Sequence, residues 1–184
     1  MSNQVYSLET YDFTSSDTLL FDANIWLYVY GPSRTRSAKI LKSKYQRQFR
    51  RIRGLKVPIF LDVLVLSEFI NAYSRQFYNS LPEARKPADF KTFRNSADFL
   101  PLARKIGKQS RKILAKTQRT NIAFESVEMG GIIDAYVAAN ADFNDLMLAE
   151  LCKANNLKLV THDADFQGDD LTILTANSKL LSGS

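Results

Sequence analysis

Short apolar runs alternate with longer amphipathic segments along this chain. The runs are typical of strands buried on both faces, and they occupy residues 18–21, 57–61, 157–160 and 171–174. Between them, apolar residues recur every three or four positions, as in helices that pack one face on a core. Strands that alternate with helices predict an α/β fold, a three-layer α/β/α sandwich with a mainly parallel central sheet.

The amphipathic segments predict helices between the strands. Residues 23–30 predict a short helix that ends at the Gly31-Pro32 breaker, and a second helix runs from about residue 33 to Gly54. Pro101 is expected to separate two helices in the basic segment 88–120. Further helices are predicted at 63–78, at 132–141 and from 143 onward, with a weak strand at 122–124 and a frayed tail at 178–184.

Length and composition favour one soluble domain. The 184 residues, 45% of them hydrophobic, suffice for one core over residues 1–184, with an inserted basic helical segment at about 80–120. No apolar run approaches the roughly 20 residues of a membrane helix, and the N-terminus lacks the pattern of a signal peptide. We therefore expect a cytoplasmic protein with no membrane partner. One cysteine excludes an internal disulfide, and one histidine leaves little scope for a His-based metal site.

Positive charge is concentrated in two blocks, called the basic arms below. Residues 34–56 contain ten Lys or Arg and no acid, and residues 75–119 contain twelve basic residues and three acids. The rest of the chain is acidic. Acidic residues flanked by two basic arms are expected where metal-binding carboxylates act on a polyanion. The alternative interpretation is that the basic arms are simply solvated helix faces. The residues expected to bind nucleic acid are Lys39, Lys42, Arg50, Arg53, Arg104, Lys105, Lys108, Arg111 and Lys112.

Acidic residues follow the predicted strands. Asp22 and Asp163 stand at or just beyond strand ends, whereas Glu68 and Asp145 lie in helices near the same edge. Right-handed crossovers gather such positions at the carboxyl edge of a parallel sheet. Carboxylates brought together repel one another and favour a hard divalent cation, so this all-oxygen set suits Mg²⁺ or Mn²⁺ better than zinc. Such ions activate water against phosphodiesters, which predicts hydrolysis of a nucleic-acid backbone.

Three segments carry a family resemblance. They are LLFDANIW at 19–26, LSEFIN at 66–71 and FNDLMLAELCKANNLKLVTHDADF at 143–166. In this order and on these elements they resemble the PIN-domain family of metal-dependent ribonucleases, which includes the VapC-type toxins. The resemblance implies that catalysis and metal ligation fall to Asp22, Glu68, Asp145 and Asp163, which would hold one or two ions. It also implies Asp165 as a further ligand, and Asn24 and Thr161 as supporting residues.

The two acids from the first half of the chain also have structural alternatives. Asp22 can simply cap the short helix that follows it, and Asn24 can be a cap or turn former. Glu68 lies in an apolar surround, where a carboxylate without a partner is unfavourable. Its alternative role is an ion pair with an Arg of the basic arms.

Residues in the second half of the chain have structural alternatives as well: Thr161 can be only a β-branched strand terminus, and Asp165 can be an ordinary turn residue. Asp142 and Asp145 compete for one ligand position, and either Asp142 or Asn144 can serve as the helix N-cap. The family pattern implies Asp145. His162 is expected to face away from the site, because side chains alternate at a strand end.

The expected substrate is RNA, single-stranded or structured. The segment 80–120 is longer and more basic than a compact PIN domain requires, and it can extend the RNA track or reshape the surface that an antitoxin covers in related toxins. An antitoxin protein and a homodimer are the other partners considered. A rival interpretation is a catalytically silent RNA-binding or scaffold protein that retains the fold. Aromatic residues such as Tyr45, Phe49, Phe90 and Phe93 can stack on bases, although Tyr45 and Phe49 have the spacing of core positions.

Overall fold

A central β-sheet with helices on both faces makes up the fold. The structure is a computed structural model that describes residues 3–33, 35–138, 141–164, 166 and 170–182. Within these ranges the strands are β1 (Gln4–Ser7), β2 (Leu19–Phe21), β3 (Ile59–Leu61), β4 (Gln118–Arg119), β5 (Lys158–Val160) and β6 (Thr172–Thr175). The helices are α1 (Ala23–Tyr30), α2 (Arg36–Gly54), α3 (Val63–Asn79), α4 (Phe90–Arg94), α5 (Phe99–Leu114), α6 (Met129–Val137), α7 (Phe143–Ala154) and α8 (Ser178–Ser182).

Every pair of neighbouring strands in the sheet is parallel. The order is β1-β6-β5-β2-β3-β4, so β2 has β5 on one side and β3 on the other. Phe21 at the end of β2 lies opposite Val160 at the end of β5. The three-layer, parallel α/β/α fold predicted from the alternation of elements is therefore confirmed, and the ends of β2 and β5 deliver their next residues to the same edge.

Apolar side chains of the strands and helices share one large core. β2 is completely buried, and α1 adds Trp26, which is fully buried. Tyr45 and Phe49 are 1% and 7% exposed, which confirms them as core residues. The inserted segment contributes to the same core through Phe93 and the buried face of α5.

Two predictions for the inserted segment are wrong. Pro101 does not separate two helices, because α5 begins at Phe99 and places Pro101 in its first turn, where the missing N–H is not needed. The strand expected at 122–124 is absent from the described residues, and Phe124–Ser126 forms a 3-10 turn. The strand of this region is β4, whose two polar, exposed residues pair with β3 through backbone groups alone.

The chain termini also differ from the expectation. β1 was not predicted, because Gln4–Ser7 alternates between exposed and half-buried positions and gains strand structure by pairing with β6, which is distant in sequence. The tail expected to fray forms the short helix α8 over Ser178–Ser182. Among the described residues, no helix has both the length and the apolar character to cross a membrane.

Candidate active site at the carboxyl edge of the sheet

Asp22 and Thr161 meet at the carboxyl edge because β2 and β5 are neighbours. The Asp22 backbone N–H donates to the carbonyl oxygen of Val160 at 3.0 Å, which extends the pairing by one residue. The Thr161 hydroxyl donates to Asp22 Oδ2 at 2.7 Å. The Asn24 amide donates to the same carboxylate and to Thr161 Oγ1, the latter at 3.1 Å. The two supporting residues predicted from the family resemblance therefore both contact Asp22.

Asp22 combines a structural role with its place in the site. It is the N-cap of α1 and accepts from the Asn24 backbone N–H at 3.5 Å through Oδ1. Its other oxygen faces Thr161 and the Asn24 amide. The capping alternative is thus present, but it engages only one of the two oxygens.

Hydrogen bonds fix the turn that carries Asp163. The Asp163 backbone N–H donates to Thr161 Oγ1 at 3.0 Å, and the His162 backbone N–H donates to Asn24 Oδ1 at 3.3 Å. Asn24 consequently holds both Asp22 and the turn after β5. This arrangement sets the position of Asp163 relative to Asp22.

The His162 side chain points into an aromatic cluster. Among the described residues, its ring forms no hydrogen bond to a carboxylate. Its Nδ1 lies 2.8 Å from the Tyr45 hydroxyl, and its ring packs edge-on against Tyr28 and Tyr45. The Tyr45 hydroxyl also accepts from the Ala176 backbone N–H at 3.2 Å. The Asn177 amide donates to the His162 carbonyl oxygen at 2.7 Å. Together these contacts hold the turn in place. The sequence pattern did not indicate this role for Tyr45 or Asn177.

Glu68 and Asp145 approach the same edge from two helices. Asp62 is the N-cap of α3, which places Glu68 two turns into the helix. Asp142 is the N-cap of α7 and accepts from the Asn144 backbone N–H at 2.9 Å, which leaves Asp145 inside the first turn. Both Glu68 and Asp145 are half-buried.

α3 and the start of α7 border one cavity. The cavity has a volume of about 330 Å³ and is lined by Glu68 and Asn144, with Arg75 further along α3. No ion pair with an Arg engages Glu68 among the described residues, since Arg75 instead lies over the Phe90 ring at 4.9 Å. The alternative role for Glu68, an ion pair with the basic arms, is therefore not observed there.

The acids at this edge repel one another. Burial, followed by the negative charges of Asp22, Asp142 and Asp163, raises the pKa of Glu68 to about 7. Burial and the same neighbours, together with Glu68, raise the pKa of Asp145 to about 7. Burial also raises the pKa of Asp22, against the opposing hydrogen bond from Thr161. Such mutual repulsion favours a bound cation.

The donor chemistry of this group fits a hard divalent cation, but the side chains do not form one coordination shell as they stand. Among the described residues, no three His, Cys, Asp or Glu side chains are close enough to hold a single ion. The predicted ligands Asp22, Glu68, Asp145 and Asp163 thus share an electrostatic field without sharing a preformed cage. The prediction for Asp165 lies outside the described residues.

Asp17, a buried acid outside this site, has a carboxylate whose charge is balanced by a cation. Asp17 precedes β2 and is 2% exposed, and it forms an ion pair with Lys158 at the start of β5. Burial acts to raise the pKa of Asp17, but the hydrogen bonds from Lys158 and Thr14 hold it below its usual value. Glu68 and Asp145 have no such cation among the described residues, which separates the acids of the carboxyl edge from a structural ion pair.

The predicted nucleic-acid-binding residues lie on α2 and α5. All are exposed except Lys42, whose Nζ donates to the Gly31 carbonyl oxygen at 2.8 Å. Within the described ranges, none of them forms an ion pair with an acid. They are Lys39, Lys42, Arg50 and Arg53 on α2, and Arg104, Lys105, Lys108, Arg111 and Lys112 on α5.

Sequence reasoning missed one contributor to the field of the site. Asp142 was weighed against Asp145 as a ligand or cap, and the structure shows that as a cap it still adds negative charge to both Glu68 and Asp145. Its position one helical turn before Asp145 is the signal that could have indicated this, since residues three apart lie on the same helix face.

If the predicted hydrolysis of nucleic acid takes place at this edge, replacing Thr161 by Val should reduce its rate by about 10- to 100-fold, the usual effect of removing a group that orients a ligand. The substitution keeps the shape of the side chain but removes the donor to Asp22 and the acceptor for the Asp163 N–H. We expect a loss of about 1 to 3 kcal/mol in the free energy of unfolding as well. Initial cleavage rates and chemical denaturation would measure the two effects.

Thr18→Val is the control for this substitution. Thr18 precedes β2, at the opposite end of the strand from Asp22, and its hydroxyl donates to the Asn156 carbonyl oxygen at 2.9 Å. It should lose stability and keep activity. Full activity in Thr161→Val would contradict the role assigned to this hydroxyl.

Comparisons with known proteins identify the family of this chain. The protein PAE2754 from Pyrobaculum aerophilum has a crystal structure similar to this one, with a TM-score of 0.49 and 12% sequence identity over 92% of this chain and 96% of that chain. No curated protein sequence matches the chain. The family model described as "PIN domain" matches residues 19–168, which include the acids of the carboxyl edge. The chain therefore belongs to the PIN-domain family, whose members are typically metal-dependent nucleases.

Proposed function

We propose that this protein is an endoribonuclease that depends on Mg²⁺ or Mn²⁺ and hydrolyses phosphodiester bonds of RNA. The observation that carries the proposal is the electrostatic coupling of four acids, Asp22, Glu68, Asp145 and Asp163, at the carboxyl edge of a PIN domain. Oxygen donors without His or Cys suit these two ions. The single His, His162, is engaged by Tyr45.

Each side chain has a definite part in this proposal. Asp22 and Asp163 would hold the metal from the strand ends, while Glu68 and Asp145 would close the site from α3 and α7. When bound, the ion would activate a water molecule and offset the charge that develops on the phosphodiester. Asn24 and Thr161 hold the Asp22 carboxylate in place through their hydrogen bonds.

The raised pKa values suit this role. Near pH 7, Glu68 and Asp145 exchange protons readily, and each can accept a proton or release one to bind a cation. The Asp22 carboxyl group accepts hydrogen bonds from two neutral donors, and burial raises its pKa as well. A bound divalent cation would favour the ionised forms of these acids and would offset their mutual repulsion.

RNA is the proposed substrate because α2 and α5 carry exposed cations that can hold a polyanion. Single-stranded nucleic acid binds through a positive groove that tracks its backbone. Nine exposed or half-exposed cations on these helices are free of acidic partners among the described residues. These cations would offset the repulsion between the RNA backbone and the carboxylates of the site.

Cleavage of labelled single-stranded RNA tests the proposal directly. We expect cleavage with Mg²⁺ or Mn²⁺, none in EDTA, and none by Asp22→Asn purified in the same way. A parallel assay with single-stranded DNA of the same sequence separates a ribonuclease from a general nuclease.

Three results would count against it. Cleavage that survives EDTA, or that persists in Asp22→Asn, would exclude the metal-dependent site at this edge. RNA binding that is steeply salt-dependent, with no cleavage and no response to divalent ions, would instead support the silent RNA-binding protein.

The toxin subtype, the partners and the location stay predictions. An antitoxin partner would copurify from the native cell extract, and expression of the free chain would arrest growth. A homodimer would appear in solution mass measurements. The cytoplasm is the proposed location, and the single-domain organisation over residues 1–184 is likewise proposed.

A further inference from the structure

The two basic arms meet in one cavity that the sequence does not reveal. The C-terminal end of α1, the middle of α2 and the second half of α5 border an open surface cavity of about 470 Å³, called the basic cavity below. Four cations line it, and no acidic side chain of the described residues does. These cations are Lys42, Arg50, Lys112 and Lys116.

The cations of the basic cavity lie close to one another, and their positive charges are not balanced by nearby acids of the described residues. None of them forms an ion pair with an acid in the described part of the chain. Burial, followed by the charge of Lys105, lowers the pKa of Lys42. A concave surface of one charge sign focuses its field and concentrates counterions. The cavity therefore favours a bound anion.

Aromatic residues form one wall of the same cavity. Tyr30 and Phe49 line it, and Lys112 Nζ lies 6.0 Å from the centre of the Tyr30 ring. Tyr30 stacks on Trp26 with an interplanar angle of 6°, which holds its ring in one orientation. Cations beside a fixed aromatic ring are the combination that binds the phosphates and bases of single strands. The volume lies within the range of pockets that enclose small ligands.

The basic cavity is separate from the acidic edge. Asp22 caps the N-terminal end of α1, and Tyr30 is its last residue. These two positions are eight residues apart, which corresponds to about 12 Å along the helix axis at about 1.5 Å per residue. A strand cleaved at the acids must therefore extend beyond the scissile phosphate to reach the cavity.

We propose that the basic cavity is a second RNA subsite, which holds a phosphate and the adjoining nucleotide of the substrate strand away from the scissile bond. This inference rests on RNA as the proposed substrate. It assigns a role to Tyr30 and Lys116, which the sequence pattern did not single out. It also explains why basic residues far apart in the chain are brought together by α2 and α5.

Binding of a fluorescent single-stranded RNA to the full chain tests this subsite. The measurements use the Asp22→Asn background in EDTA, so that cleavage cannot interfere. Arg50→Ala with Lys112→Ala should weaken binding by about tenfold or more, and should lower the slope of log affinity against log salt by about 1.4, at about 0.7 per lost phosphate contact. Both side chains are exposed, and melting curves verify that the variants fold. Arg50→Gln with Lys112→Gln provides a second, larger uncharged pair.

Lys91→Ala with Arg94→Ala is the matched control. It removes one Lys and one Arg from exposed positions of α4 that lie outside the basic cavity and are not among the predicted nucleic-acid-binding residues. We expect it to weaken binding by less than about threefold. Equal losses in the two pairs would overturn the subsite and leave a diffuse positive field. A second result would also overturn the inference. If the two pairs bound RNA equally, but AMP or pyrophosphate stabilised the protein only when Arg50 and Lys112 were present, the cavity would bind a small phosphate ligand and not the RNA strand.

The outcome is distinguishable from that of the proposed function. Loss of RNA affinity in the cavity pair, with no cleavage by the wild-type chain, would support the subsite and refute the nuclease. Metal-dependent cleavage together with equal affinities of the two pairs would refute the subsite and support the nuclease.

Discussion

Replacing Asp145 by Asn should reduce RNA cleavage by about 10² to 10³, the usual effect of removing one group that stabilises charge in a transition state. The same variant should melt at a higher temperature than the wild type in EDTA at pH 8. Asp145 is half-buried beside Asp22, Asp163 and Glu68, and its ionised form is unfavourable there without a cation. The neutral amide removes that repulsion and keeps the shape. Initial rates and melting temperatures would measure both effects.

Asp142→Asn is the matched control for this substitution. It makes the same chemical change at an exposed position of the same helix, and Asn is as good an N-cap as Asp. Its cleavage rate should stay within a few-fold of the wild type. A loss of activity equal to that of Asp145→Asn would show that net charge, and not the position of Asp145, controls the rate. Wild-type activity in Asp145→Asn would remove Asp145 from the site.

The metal-free protein should become less stable as the pH rises from about 4 to 7, and Mg²⁺ should restore stability at pH 8. The folded-state pKa values of Glu68 and Asp145 are about 7, above their ordinary values of 4.5 and 3.8. The native state therefore binds more protons than the unfolded state in this window, and its stability is fully present below the ordinary values and lost as pH rises through 7. Because both side chains are only half-buried, we expect about 1 kcal/mol from each.

Melting temperatures in EDTA between pH 5 and 8 would measure this effect. A change of 1 kcal/mol corresponds to about 2 to 4 °C for a chain of this size. The double variant Glu68→Gln with Asp145→Asn isolates the two groups, and its melting temperature should vary less with pH than that of the wild type. Identical pH profiles would contradict the coupling. A Mg²⁺ response in the double variant as large as in the wild type would place the ion elsewhere.

The coupling also bears on how the site assembles. The acids repel one another in the absence of metal, and the described side chains do not form a closed coordination shell. Asp22 is fixed by Asn24 and Thr161, whereas Glu68 and Asp145 have no hydrogen-bond donor of comparable kind among the described residues. Asp22 at the strand end is thus preorganised. Glu68 and Asp145 on the helices are the acids whose negative charge a metal ion would balance.

Elements with a strong local signal were predictable from the sequence. The buried runs that became β2, β3 and β5 are apolar except for Lys158 at the start of β5, and the helices between them show apolar periodicity. Elements that depend on distant partners were not predictable. β1 and β4 are short polar segments whose strand structure comes from backbone pairing with β6 and β3. Pro101 illustrates a related limit, because its effect depends on whether a helix begins two residues earlier or ten.

The sequence alone determined the family pattern and the choice of acids, because residue types and their order along alternating elements restrict where carboxylates can meet in a parallel sheet. Only the tertiary structure decided how these residues interact. The parallel pairing of β2 with β5 places Thr161 and Asn24 on Asp22, and the Tyr45 hydroxyl braces the turn that carries Asp163. The relative positions of α1, α2 and α5 create the basic cavity from residues that no local pattern connects. Such contacts depend on distances between segments far apart in the chain, which hydrophobic periodicity does not encode.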